Sequence, residues 1–403
     1  MKNINQNEIS VVIPVLDFPK TLPEILWAID NQTHRPKEII IVCSGNHQGL
    51  KEFLNKNVLN VPINVQYLSK AYPGKARNIG GKLVKSYWIA FLDSKTLPNH
   101  DWLETYLYFS ATHKSDVVMG LARFIAKNKY QKLYNHCSYG ETFYETVPGS
   151  IIKTKVFKND FQFSPHYKVG EDRLWKETIN KSALKLFIPN EHTIDYIDLP
   201  SNFLDTVKKY YFSSLNTYYK KGIKLEIFLS TFLIFYMAVL PKWNYLVDGW
   251  TNDYLFIPHI SKLVTSSIFL LYLLHISITK FLNIGQNSIF SFVLNCITII
   301  SGFFVALNWN DIFANWDENH TMFFPHITKL YLISLFNFSI IIRGLIIPIK
   351  KKVKLEKLLP FRWVLIGLIG ISLEFVKLFG IFNRVILKLR YLVSYKRDLN
   401  KSS

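Results

Sequence analysis

Cysteine is scarce: Cys43, Cys137 and Cys296 are the three present. They fall at no pairing or metal-ligating spacing, which excludes a disulfide scaffold and a zinc module. Charge is scarce as well. Asp, Glu, Lys and Arg make up 19% of the 403 residues against 49% hydrophobic, and mean hydropathy is +0.12. That balance excludes a disordered chain, a collagen-like chain and a simple soluble enzyme. No period of 20–50 residues repeats and no low-complexity segment appears, so a solenoid is excluded too. The first thirty residues lack the pattern of a signal peptide, because MKNINQNEIS is polar and ISVVIPVL is short and strand-like.

The charge that is present is lopsided, at +19 overall. Residues 1–222 hold 29 basic and 20 acidic side chains, residues 223–349 hold 6 of each, and residues 350–403 hold 13 and 3. A basic tail that directly follows a neutral, apolar middle reads as cytoplasmic and as attracted to anionic headgroups, and not as a nucleic-acid surface.

The apolar middle contains four runs long enough, or nearly so, to cross a bilayer, at about 225–240, 263–283, 289–307 and 327–349. The connector 241–262 is charge-balanced with Trp243 and Trp250, and the connector 308–326 has no Lys or Arg but contains Trp309 and Trp316. Both read as external interface belts, with KKVKLEK (351–357) internal. Four crossings then leave the N-terminal half and residues 350–403 on the same, cytoplasmic side. A further run, 361–382, is followed by Arg384, Lys388, Arg390, Lys396, Arg397 and Lys401 and carries Glu374 and Lys377. It reads as an interfacial or re-entrant helix in preference to a fifth crossing.

The first half alternates short apolar runs with helical stretches. Strands are expected at 9–15, 38–45, 63–69 and 87–93, with helices at 21–32, about 49–57 and 74–85 between them. Short apolar runs separated by helices favour a parallel sheet covered on both faces. Ligands of such sheets bind beyond the carboxyl ends of the strands, where Asp17, Ser44 and Asp93 stand. Residues 208–222 (KKYYFSSLNTYYKKG) mix Tyr with Lys and read as an interfacial helix.

Four segments in order, ISVVIPVLDFPKTLPEILWAIDNQTHRPKEIIIV, PGKARNIGGKLVKSYWIAFLDSKTLPNHDWLE, PGSIIKTKVF and VGEDRLW, resemble family-2 inverting glycosyltransferases over residues 9–220. The resemblance implies an α/β GT-A domain (Rossmann-like, of the nucleotide-diphospho-sugar transferases) at 1–222. An all-α membrane domain would follow at 223–349, and a basic cytoplasmic segment at 350–403. It implies that Pro14 to Asp17 form the loop on the nucleotide side. PVLDFP is also readable as a turn with an Asx cap. Where relatives carry an Asp pair that holds the base, this chain has Cys43 and Ser44.

In PGKARNIGG, a glycine at a helix start lets the backbone approach a ligand, and free first-turn N–H groups favour anions. By the resemblance Arg77 contacts the donor, with Lys75 adding charge or lying on the surface, and Asn78 capping or packing. Asp93 holds the metal position of relatives, but the second acid of their D-x-D motif is Lys95 here. Two readings follow: Asp93 binds Mg²⁺ or Mn²⁺ with the diphosphate and waters, or the Lys95 ammonium neutralises the leaving diphosphate itself. His192 is a candidate third metal ligand. In the GED at 170–172, Asp172 is the implied catalytic base, with Glu171 supporting it, and both acids also suit a helix N-terminus. Trp175, one turn on, lines the acceptor groove or packs. The Q-x-x-R-W motif of processive polymer synthases is absent.

Together these features describe a membrane-anchored inverting glycosyltransferase, integral to a bacterial inner membrane, with its catalytic domain cytoplasmic. It would pass a sugar from a nucleotide-sugar donor to a lipid-linked or surface-glycan acceptor. Two alternatives stay open: a polyprenyl-phosphate glycosyltransferase, and a catalytically degenerate nucleotide-sugar-binding or scaffold protein.

Overall fold

A computed structural model describes residues 6–191, 193–216, 337 and 339–402. The four expected crossings lie outside the described residues, save the end of the last; so does His192. The chain divides into two units, Met1–Lys220 with Ile342–Ser403, and Lys221–Ile341. The described residues belong almost wholly to the first. Residues 350–403, set apart by their charge, therefore join the N-terminal half in one compact body.

The first half is the expected α/β domain. Its elements are β1 (Ile9–Leu16), α1 (Leu22–Asp30), β2 (Glu38–Ser44), α2 (Gln48–Lys56), β3 (Ile63–Leu68), α3 (Pro73–Leu83), β4 (Trp88–Phe91), β5 (Thr96–Pro98), α4 (Trp102–Thr112), β6 (Val117–Phe124), α5 (Lys129–Ser138), β7 (Tyr144–Lys153), α6 (Thr154–Asn159), α7 (Glu171–Asn180), β8 (Leu186–Phe187), β9 (Ile194–Tyr196) and α8 (Phe203–Asn216). Strands run in the order β3-β2-β1-β4-β7-β6-β9-β5, with β8 beside β6. β3, β2, β1 and β4 are parallel, as expected. The sheet is not parallel throughout, because β7 pairs antiparallel with both β4 and β6.

Both faces of the parallel half are covered. Along β1, Ile9, Val11, Ile13 and Val15 face α1 and α4, packing with Leu22, Ile25, Trp102 and Tyr106. The period of two sends Val12, and with it Ile40, Val42, Ile89 and Phe91, to the other face. There they meet Ala76 of α3, Phe157 of α6, and Trp175 and Ile179 of α7. This second face fixes α3 and α7 against one sheet.

The C-terminal segment ends in a long helix, α9 (Arg362–Ser402). Its stretch Arg362–Ile381, with mean hydropathy 2.1, is long and apolar enough to cross a membrane. It packs on the α/β domain. Leu373 meets Tyr134 of α5 and Leu199, with Tyr210 of α8 alongside. Ile366 closes a cluster with Val353 and Leu358 against Leu133 and Cys137. Each such buried Leu or Ile contributes roughly 1.5–3 kcal/mol. Polar ties add to the seam: Lys351 donates to the Ser138 carbonyl, Lys357 pairs with Glu141, and Asn383 donates to the Tyr211 hydroxyl at 2.9 Å. Leu365 and Phe379 stay exposed on α9, as does Phe361 just before it.

Candidate active site

Gly170 opens α7 in the left-handed region at φ +94°, a conformation that costs glycine little. The helix starts at once, and successive helical side chains diverge by about 100°. Glu171 is therefore turned into the protein, 5% exposed, while Asp172 stands in the open. The backbone N–H of Arg173 donates to Asp172 Oδ1 at 2.7 Å, which leaves Oδ2 available.

Behind Asp172 lies a buried cation. Arg77, on α3, is 3% exposed and donates to Asp93 Oδ1 at 2.8 Å and to Glu171 Oε1 at 2.9 Å. Its guanidinium lies 5.2 Å from the centre of the Phe163 ring, and its Nε has no acceptor among the described residues. Gly74 makes this approach possible, since a Cβ there would lie 2.4 Å from the Ser164 carbonyl oxygen and 3.2 Å from Glu171 Cγ. Asn78 grips the same loop, donating to the Phe163 carbonyl and accepting from its N–H.

Three carboxylates thus surround one guanidinium. Burial works against the Arg77 charge, but Asp93, Glu171 and Asp172 outweigh it and hold Arg77 above its ordinary value. Burial pushes the Glu171 carboxyl up, Arg77 pulls it back, and Asp172 raises it again, so the net direction is upward. The excess of acids over bases explains why Arg77 gains more from the cluster than Glu171 does.

In front of the cluster is a hollow of about 530 Å³, lined by Asp93 and Thr96 after β4, Phe124 of β6, Thr146 of β7, Asp172 of α7 and Tyr196 of β9. Asp93 and Asp172, nominated from different motifs, face one space. Phe124 stacks on Tyr139 at 3.7 Å, and with Tyr196 these rings form an apolar wall. Thr96 Oγ1 accepts from the Asp93 N–H and donates to its carbonyl, fixing the turn. At the rim Arg173 pairs with Glu177 at 3.1 Å and Lys176 with Glu145 at 3.2 Å.

The other nominated residues stand elsewhere. Pro14 lies within β1 and Ser44 ends β2, its hydroxyl donating to the Val15 carbonyl at 3.3 Å. Asp17, at φ +57°, accepts from the Asn46 N–H at 2.8 Å and so ties the β1 and β2 loops together. None of the three lines the hollow. Lys75 is exposed on α3, away from it. The start of α3 meets Ser164 and Glu171 at Gly74, and Arg77 meets carboxylates, where the sequence suggested a ligand for both. Trp175 takes the packing alternative: it stacks on Phe163 at 5.0 Å and donates to the Phe161 carbonyl at 2.7 Å.

Lys95 is engaged by Asp198 at 2.7 Å. This bears on the expected divalent cation. Asp93 is committed through Oδ1 to Arg77, and the position two residues on carries an ammonium, which cannot ligate. Among the described residues no group of three or more His, Cys, Asp or Glu side chains is arranged to hold a metal ion. The residues present form no multi-carboxylate site, so a divalent ion would rest on Asp93 with diphosphate oxygens and waters, and the Lys95 ammonium is the other source of positive charge.

Sequence reasoning missed two residues of the far wall, Tyr196 and Lys209 of α8, and the Asp198 that pairs with Lys95. No motif marks them. Lys209 sits in the KKYY run that reads as headgroup-facing, and only the packing of α8 brings it to the hollow.

Residues 10–177 match the model of the family described as glycosyl transferase family 2. The poly(ribitol-phosphate) beta-glucosyltransferase of Bacillus spizizenii is 26% identical over 204 residues, 47% of this chain and 32% of that one. The chondroitin synthase of Escherichia coli is 25% identical over 158 residues, 38% and 23% of the two chains. This chain thus spans about a third or less of the length of the curated relatives it matches. Among solved structures, S. aureus TarS 1-349 in complex with UDP-GlcNAc aligns with a TM-score of 0.40 at 15% identity, covering 75% of this chain and 92% of that one.

Proposed function

We propose that residues 10–177, which match the model of glycosyl transferase family 2, form the GT-A-type catalytic domain of an inverting glycosyltransferase. It moves a sugar from a nucleotide-sugar donor to an acceptor hydroxyl by a single displacement. The observation that carries this reading is the convergence of Asp93 and Asp172 on one hollow. Arg77 bonds both Asp93 and Glu171, so the position of α7, and of Asp172 on it, is referred to the end of β4.

Asp172 acts as general base. Its carboxylate takes the proton of the acceptor hydroxyl while that oxygen attacks the anomeric carbon from the face opposite the leaving group. The bond from that carbon to the phosphate oxygen breaks, and the nucleoside diphosphate departs with the electron pair. Glu171, bound to Arg77, keeps the helix start in place and does not touch the substrate. The Phe124, Tyr139 and Tyr196 rings give the apolar faces of a sugar a surface to lie on and exclude water from the reacting carbon.

The acceptor is a lipid-linked or surface glycan, or a polyol-phosphate polymer, by analogy with the relatives named for poly(ribitol phosphate) and chondroitin. The apolar stretch Arg362–Ile381 and the basic residues after it support attachment to a bacterial inner membrane with the catalytic domain cytoplasmic. Nucleotide release from UDP-, GDP- and dTDP-sugars with glycan acceptors tests the reading. At least one donor is turned over, and Asp172→Asn lowers the rate about 10²–10⁴-fold. Equal silence of wild type and variant with every pair would overturn it.

A further inference from the structure

A nucleoside diphosphate brings at least two negative charges to a hollow that already exposes Asp93 and Asp172. It needs a cation both to settle and to leave. The position that would supply a metal ligand carries Lys95, and the Arg173 and Lys176 charges on the wall are each matched by a glutamate. Lys209 differs. It lines the hollow from α8, lies 5.4 Å from the centre of the Tyr196 ring, and has no carboxylate within ion-pair distance among the described residues.

We propose that the Lys209 ammonium, with Lys95 beside it, seats the donor diphosphate and takes up the charge of the leaving group in place of a divalent cation. The inference rests on the glycosyltransferase reading and adds to it a donor-binding residue that lies beyond the family match at 10–177.

The electrostatics support it. Although the Lys209 side chain is open to the hollow, the surrounding wall displaces enough water to push its ammonium down to about 8. The Lys95 charge adds to that push, and Asp198 opposes it. Two ammonium groups within each other's field, with Asp198 paired to Lys95 and not to Lys209, are arranged for an incoming anion. α8 is held for this task by α9, through Tyr210 beside Leu373 and through Tyr211 and Asn383.

The test is equilibrium titration of the full chain with UDP, GDP and dTDP, and with the matching monophosphates, in excess EDTA. At least one diphosphate binds the wild type. Lys209→Gln weakens it about 10-fold, with the monophosphate changed less than about 2-fold, as loss of one charge-assisted contact requires. Lys209→Arg restores most of the affinity, and the melting temperature of both variants matches the wild type. Diphosphate binding within about 2-fold of wild type in Lys209→Gln, or binding that EDTA abolishes and Mg²⁺ restores, overturns the proposal and leaves the glycosyltransferase reading standing. A wild-type chain that binds no nucleotide with or without Mg²⁺ overturns both.

Discussion

Replacing Arg77 by leucine removes the one cation that Asp93 and Glu171 share. The costs fall unequally. Asp93 keeps 31% of its side-chain surface in water and can hydrate, whereas Glu171 keeps 7%. Leaving a buried carboxylate without its partner costs about 3–5 kcal/mol. Protonation offers Glu171 an escape, and burial has already raised its value. A carboxyl raised in the folded state contributes stability that is complete below its unfolded value and is lost as pH rises through the folded one. Arg77→Leu therefore lies nearest the wild type at acid pH and falls away as the pH rises to neutral. Arg77→Leu with Glu171→Leu regains most of the loss, because two apolar side chains on Phe163 need no compensation. Denaturant unfolding read by the buried Trp102 and Trp175 measures all three chains. A single variant within about 0.5 kcal/mol of wild type across that range, or a double variant no better than the single, refutes the reasoning.

Asp172→Asn, besides its loss of turnover, should unfold within about 0.5 kcal/mol of wild type, since the side chain is exposed and bonds only its neighbour's N–H. Gly74→Ala should destabilise by about 1–3 kcal/mol, because its methyl group meets the Ser164 carbonyl and neither backbone can yield freely; thermal melting checks this. Burial alone would raise the Asp116 carboxyl, but hydrogen bonds from Lys153 and the Lys185 N–H, with both lysine charges, hold it below its ordinary value. A depressed carboxyl contributes stability above its unfolded value and loses it as pH falls through the folded one. Asp116→Asn should therefore flatten the acid limb of a melting-temperature profile below about pH 4, and an unchanged limb would contradict this.

The parallel half of the sheet was legible because its strands are continuous apolar runs, such as EIIIVCS, bounded by turns and helices. β7 was not, since Pro148 and Gly149 lie inside it and read as a turn. They are tolerated where β6 and β7 slip register between Val118 and Gly120. In the site, short motifs were enough to nominate Asp93 and Asp172, which lie at the ends of local patterns. The role of Arg77 was hidden: its partner Glu171 is 94 positions away, and no spacing rule connects a helix interior to the start of a distant helix. The place of Lys209 on the hollow was hidden for a physical reason. Lys and Tyr in alternation suit a lipid surface and an active-site wall equally well, and only tertiary packing chooses between them.

The seam between α9 and the α/β domain has a practical consequence. A gene shortened to end soon after α8 would retain the whole family match, yet it would bare Tyr134, Leu199 and Tyr210 to water. Such a fragment would clump, and the helix bearing Lys209 would lose its backstop. One compact unit joins the chain's beginning to its end, so Arg362–Ile381 should matter to the yield of the α/β domain as the motifs do not.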